Sequence, residues 1–191
     1  EVLARTTDPA QRDALTEALL RSTRRLERLL DDVLVASQIE TRLPVGHREA
    51  VLVGDAVRVV WGEVGSDRPL SLTGVGDATA YVAPDALRWM LRNLVDNAVR
   101  YGTGAVEIDV QKANGSVRIS IGGPGPDLPD NELRNAFELF YRGEHAVMED
   151  AARLGVGLTV VQRLVEFAGG QVELRRRERG GTVAVLTLPA A

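Results

Sequence analysis

The residues best suited to chemistry in this 191-residue chain are Asn93, Asn97, Arg100 and Tyr101, set along one helix-forming stretch. Residues four apart on a helix share a face, so the two amides project together and Arg100 follows close to one turn beyond. An amide oxygen is a hard, neutral donor for Mg²⁺, a guanidinium forks onto a phosphate, and an aromatic ring suits a flat base. Taken alone, the same residues fit an exposed polar helix face with an ordinary terminus equally well. Two glycine-rich stretches accompany them. Gly122-Gly123-Pro124-Gly125-Pro126 ends a strand, where glycines let backbone approach a ligand, although a plain turn explains them too. Leu154-Gly155-Val156-Gly157-Leu158 opens a helix, whose free N–H groups and positive dipole end suit a phosphate.

The helix carrying the amides is expected from Pro84-Asp85, with Pro84 in its first turn, to Gly102 as its stop. Leu87, Met90, Leu91, Leu94, Val95 and Ala98 recur at three- and four-residue steps and give it one apolar face. Upstream, residues 51–64 read as a short strand leading into a helix with Val57, Val60, Trp61 and Val64 on one side. Leu70-Ser71-Leu72 and Ala80-Tyr81-Val82 alternate like strands. Residues 106–110 and 117–121 alternate in period two around Asn114-Gly115, a favoured tight-turn pair, and predict a hairpin. A short helix over 131–140 and a mobile loop over 143–153 follow. Next comes a helix through Phe167, stopped by Gly169-Gly170. Strands over 171–175 and 182–188 then flank a basic turn, residues 176–181, that reads as a solvated hairpin tip.

The first part of the chain is different in kind. Asp8-Pro9-Ala10-Gln11 is a strong helix start, and the helix is expected to run to about Glu40. Leu15, Leu19, Ser22, Leu26, Leu29, Val33 and Ala36 alternate at four- and three-residue steps, the seam of a coiled coil or four-helix bundle. Such a face needs a partner, so a homodimer through residues 8–40 is expected; a long helix packed on its own domain is the other reading. Pro44 lies in a linker, which divides the chain into residues 1–43 and a domain over 44–191.

Composition removes several functions. The chain has no cysteine, which excludes disulfides and thiolate metal sites, and His47 and His145 are too few to favour zinc. A net charge of −4 gives no reason to expect nucleic acid. No apolar run is long enough to span a bilayer, so no direct membrane contact is expected. Glu1 is not an initiator Met, and the chain reads as excised from something larger.

Order and spacing add what no single motif gives. Asn93-Leu94-Val95-Asp96-Asn97-Ala98-Val99-Arg100-Tyr101 resembles the N box of bacterial sensor histidine kinases. Gly123-Pro124-Gly125 is similar to the core of their first glycine box, and Phe137-Glu138-Leu139-Phe140-Tyr141-Arg142 to their F box. Gly155-Val156-Gly157-Leu158 is similar to the second glycine box. The resemblance covers nearly the whole chain, with residues 8–40 like the second helix of the dimerisation hairpin. It implies an α/β (α+β) two-layer sandwich: a mixed, mostly antiparallel sheet packed on helices, of the type shared with gyrase and Hsp90, with an N-terminal bundle helix.

The resemblance also implies roles. Asn97 would ligate Mg²⁺ and Asn93 would help hold the metal–triphosphate. Arg100 would contact phosphate, Tyr101 would face the base, and Phe140 and Arg142 would anchor a lid. Gly123 and Gly125 would border the nucleotide. Gly155, Val156 and Gly157 would offer backbone to the phosphates, with Leu158 lining the pocket. ATP and Mg²⁺ would be the cofactors. A histidine and then a response regulator would receive the phosphoryl group, in a bacterial cytoplasmic setting or as the cytoplasmic part of a membrane-anchored sensor.

This sequence departs from the family in three places. The acceptor histidine belongs on the first dimerisation helix, which is absent here, so no catalytic residue is assigned within the chain. Ile121 stands where the family has an adenine-recognising aspartate, and an alkyl group accepts no hydrogen bond. Losing that partner costs about 1–3 kcal/mol. Arg153 stands where the second glycine box begins with glycine. Two functions are therefore expected. One is the catalytic ATP-binding region of a two-component sensor kinase. The alternative is a degenerate kinase domain that binds nucleotide poorly or not at all and serves as a dimeric protein-interaction or regulatory module.

Overall fold

The computed structural model describes residues 13–16, 18, 19, 22, 23, 46–65, 67–141 and 155–191. Those before residue 46 are helical; the heptad seam as a whole and the boundary near residue 43 lie outside the described residues.

β1 (Glu49–Leu52) runs directly into α1 (Val53–Val64), as the sequence predicts. Val53, Val57 and Val60 are buried, and Trp61 and Val64 pack at the margin of the core. β2 (Leu70–Thr73) and β3 (Thr79–Val82) lead to α2 (Pro84–Tyr101), with Pro84 in its first turn. Leu87, Met90, Leu91, Leu94 and Val95 are all buried, so the three/four periodicity does set the inward face. Across the helices, Arg88 Nη2 stands 2.6 Å from Glu63 Oε1. That hydrogen-bonded partner raises the Arg88 pKa above its ordinary value.

Gly102 does end α2, but not through a left-handed cap: its φ is −83° and ψ 171°. The stop is made by Arg68. Its Nη1 donates to the carbonyls of Ala98 (3.2 Å) and Gly102 (3.0 Å) and to that of Val99, while Nε donates to the Gly104 carbonyl at 2.8 Å. A helix leaves its last carbonyls unpaired and carries a negative dipole end there, so one guanidinium answers both needs. Gly102 supplies the room, since a Cβ on it would lie 2.9 Å from Arg68 Nη2.

β4 (Val106–Ala113) and β5 (Ser116–Gly122) form the expected hairpin. Asn114 and Gly115 turn it with φ of 51° and 74°, the pair of positive values such a turn requires. α3 (Asp130–Asn135) is shorter than the helix expected over 131–140: the chain turns from Ala136 onward. Phe140 has a φ of 65°, which no helix accepts, and its N–H donates to the Gly155 carbonyl at 3.2 Å. The loop expected over 143–153 lies outside the described residues. α4 (Gly157–Ala168), β6 (Gln171–Arg176) and β7 (Thr182–Pro189) complete the chain.

The strands form a five-stranded sheet in the order β2-β4-β5-β7-β6 and a two-stranded antiparallel pair, β1-β3. Only the β2–β4 pairing is parallel; the rest of the large sheet is antiparallel. An antiparallel bridge from Ala80 to Ala190 joins the two sheets. Val106, Ile108, Val110, Val117, Ile119, Ile121, Leu186 and Leu188 are buried, whereas Glu107, Arg118 and Glu173 face solvent. One sheet face is therefore packed and one is wet, the arrangement alternating antiparallel strands favour. α1 packs on α2, and α2 on α4. The result is the two-layer sandwich with a mixed, mostly antiparallel sheet that the sequence resemblance implies.

Candidate functional site

A cavity of about 220 Å³ opens where α2, the end of β5, α3 and the entry to α4 converge. Asn97 and Tyr101 of α2 line one side, and Gly123 and Gly125 border it beyond β5. Gly155, Val156, Gly157 and Leu158 line the approach to α4. Val156 is the N-cap of α4 and no side chain caps that end, so the first-turn N–H groups have no side-chain acceptor. The floor is Ile121, Leu174, Thr182 and Ala184, brought together because Ala184 pairs with Ile121 on one side and Leu174 on the other.

Of the remaining residues singled out from sequence, Asn93, Arg100 and Phe140 do not line the cavity. Asn93 lies one turn before Asn97, and its Nδ2 donates to the Trp89 carbonyl at 3.1 Å. Its Oδ1 abuts Gly157: a Cβ on that glycine would be 2.7 Å away. Arg100 Nη2 is 3.7 Å from Asp96 Oδ2, so the guanidinium is held in an ion pair along the helix. Phe140 is 61% exposed and outside the cavity. Arg142 and Arg153 lie outside the described residues.

Ile121 is 1% exposed. It is opposite Ile108 in one register and Ala184 in the other. It is at once a core residue, in phase with Val117 and Ile119, and part of the cavity floor. Asp127 lines the same cavity, and its Oδ1 accepts the Gly181 N–H at 2.9 Å.

The basic turn over 176–181 is solvated only in part: Glu178 and Arg179 are exposed, but Arg176, Arg177 and Gly181 reach back to the rest of the chain. Arg176 Nε donates to the Leu128 carbonyl at 2.9 Å, and its Nη2 is 2.6 Å from Asp130 Oδ1. Arg177 Nη2 donates to Glu107 Oε2 at 2.6 Å. Gly181, with φ of 91°, comes so close to the first glycine loop that a Cβ on it would be 2.3 Å from the Gly123 carbonyl. The turn clasps that loop. Its acceptors are far away in the chain, which is why charge pattern alone suggested solvent.

Two polar residues of the cavity have no counterpart in the sequence reading. Thr182 Oγ1 is buried and has no hydrogen-bond partner among the described residues. Its alternation with Ala184 along β7 was the available signal. Glu132 of α3, only 7% exposed, is the one buried charged residue among those described, and it lines the cavity. Nothing periodic marks it, because α3 is too short to carry a pattern.

The sequence model of the histidine kinase-, DNA gyrase B- and HSP90-like ATPase family matches residues 82–191. Sensor protein CutS of Streptomyces coelicolor is 31% identical over 189 residues, covering 95% of this chain and 45% of CutS. Sensor histidine kinase CpxA of Escherichia coli is 24% identical over 185 residues, covering 91% of this chain and 39% of CpxA. The chain thus spans less than half the length of these relatives. Among solved structures, the mycobacterial sensor histidine kinase MprB superposes with a TM-score of 0.66 at 21% identity, covering 74% of this chain and 98% of that one. Full-length ShkA in complex with AMPPNP superposes with a TM-score of 0.73 at 24% identity, covering 99% of this chain and 41% of ShkA. With four motifs in order, the matching sandwich and the sequence model over residues 82–191, the chain belongs to the histidine kinase-, DNA gyrase B- and HSP90-like ATPase family, and over nearly its whole length it is similar to sensor histidine kinases.

Proposed function

We propose that the cavity beside Asn97 and Tyr101 binds ATP with Mg²⁺. In this reading the γ-phosphoryl group passes to a histidine outside this sequence and then to a response regulator. The observation that carries it is the convergence of an amide, an aromatic ring and an uncapped helix entry on one cavity. The cavity fits such a ligand. Its floor is largely apolar, with the orphaned Thr182 hydroxyl available to a polar edge. The glycines at its rim let phosphate oxygens approach backbone N–H groups. No group of three or more His, Cys, Asp or Glu able to hold a metal occurs among the described residues. Asn97 would hold the cation together with the phosphate oxygens, the usual way Mg²⁺ is bound beside a nucleotide.

The chain's own part is positioning. Asn97 holds the metal–phosphate group, and Asn93, wedged against Gly157, sets the spacing between α2 and the phosphate-facing turn. Arg100 offsets phosphate charge once released from Asp96, and Tyr101 packs on the base. Such placement and charge neutralisation are most of what phosphoryl transfer asks of a protein. Residues 8–40 pair with a second copy to form the bundle that brings an acceptor helix within reach. No helix among the described residues is long and apolar enough to cross a membrane. The test is thermal unfolding with a non-hydrolysable ATP analogue. Mg²⁺-dependent stabilisation that is lost in Asn97→Ala supports the reading. Equal behaviour of the two proteins, with and without nucleotide, contradicts it.

A further inference from the structure

The cavity floor presents a problem of chemistry. Ile121, Leu174 and Ala184 offer no hydrogen-bonding group, so a nucleobase lying on them would bury the polar atoms of its outer edge without partners. Two buried polar groups line the cavity: the Thr182 hydroxyl of this floor, and Glu132 of α3, with 7% of its surface exposed.

The position of Glu132 follows from the clasp. Arg176, at the end of β6, bonds the Leu128 carbonyl and pairs with Asp130, the first residue of α3. Arg176 is opposite Thr182 in the β6–β7 register, with Leu174 opposite Ala184 two residues on. α3 is therefore tied down at the Thr182 end of the floor, and Glu132 stands two residues along it. We propose that Glu132 reads the base: its carboxylate accepts the hydrogen bond of the exocyclic amine, the role an alkyl side chain at 121 cannot perform. An ionised carboxylate only accepts, so it selects a base edge that donates, as the 6-amino group of adenine does. Glu132 is thus a specificity-determining residue for the ATP site, and the assignment rests on the nucleotide-binding reading above.

The test compares ATP with purine riboside triphosphate, which lacks only the 6-amino group, by calorimetric titration of the whole 191-residue chain with Mg²⁺. The wild-type chain should bind ATP about ten- to a hundredfold tighter. Glu132→Leu, which fills the space but accepts nothing, should bind the two equally. Glu132→Gln keeps an acceptor oxygen and should retain part of the preference. If the wild type binds both nucleotides alike, the amine is not read and the proposal falls while the nucleotide site stands. A preference unchanged in Glu132→Leu overturns it in the same way. If the wild type binds neither nucleotide, the underlying reading fails and the proposal with it. If Glu132→Leu does not fold, Glu132→Gln decides: a reduced preference supports the proposal and a preference equal to that of the wild type overturns it.

Discussion

A Cβ built on Gly157 stands 2.7 Å from Asn93 Oδ1. The first residue of α4 and the first amide of the N box are in contact, and that contact sets how close α4's N–H groups come to the face bearing Asn97. Gly157→Ala should displace the Asn93 amide, leave the fold intact and weaken nucleotide binding about tenfold. Residues in contact do not add independently. Combining it with Asn93→Ala should therefore cost less than the sum of the two, a non-additivity that titration of the four proteins of the cycle reads directly.

Arg68 is the residue that ends α2. Removing it leaves carbonyls at the helix terminus without their charged donor, at about 1.5–3 kcal/mol. Arg68→Ala should lower Tm by roughly 4–10 °C. Arg68→Lys should recover little, because a compact ammonium cannot span both the helix end and Gly104 as a fork does. Thermal denaturation of the three proteins checks this.

Phe140 is a bulky residue in the left-handed region and is mostly exposed, so its backbone carries strain that its side chain does little to offset. Phe140→Gly should be about 1 kcal/mol more stable than Phe140→Ala, which keeps the strain without the ring. Denaturant titration separates them; equal midpoints would mean that the local backbone relaxes freely.

Ile121→Asp tests the dual role of that residue. A carboxylate between Ile108 and Ala184 enters the packed layer, so the variant should lose about 2–4 kcal/mol of stability. With Glu132 already serving the base, ATP affinity should not rise. Urea unfolding combined with nucleotide titration gives both numbers.

Where periodicity was long, the sequence was a good guide. α2 carries eighteen residues and three or four apolar repeats, and every buried position on it except Ala86 follows from the spacing. The β4–β5 hairpin announced itself through Asn114-Gly115. What stayed hidden depends on contacts between distant parts of the chain. Arg68 is thirty or more residues from the carbonyls it caps. Arg176 finds its partners on Leu128 and Asp130, Gly181 finds its own on Asp127, and Glu132 lines the cavity from the α3 that Arg176 holds. The glycine stop at 102 was foreseen but its cause was not: a Cβ there would crowd Arg68, which caps the helix end.

The central claim is that this chain holds Mg²⁺–ATP in the cavity beside Asn97. Calorimetric titration of the purified chain with a non-hydrolysable ATP analogue and Mg²⁺ tests it most directly. Micromolar to tens-of-micromolar binding that disappears in Asn97→Ala is the predicted result. No heat of binding by the wild-type chain, or binding indifferent to Asn97→Ala, would contradict it.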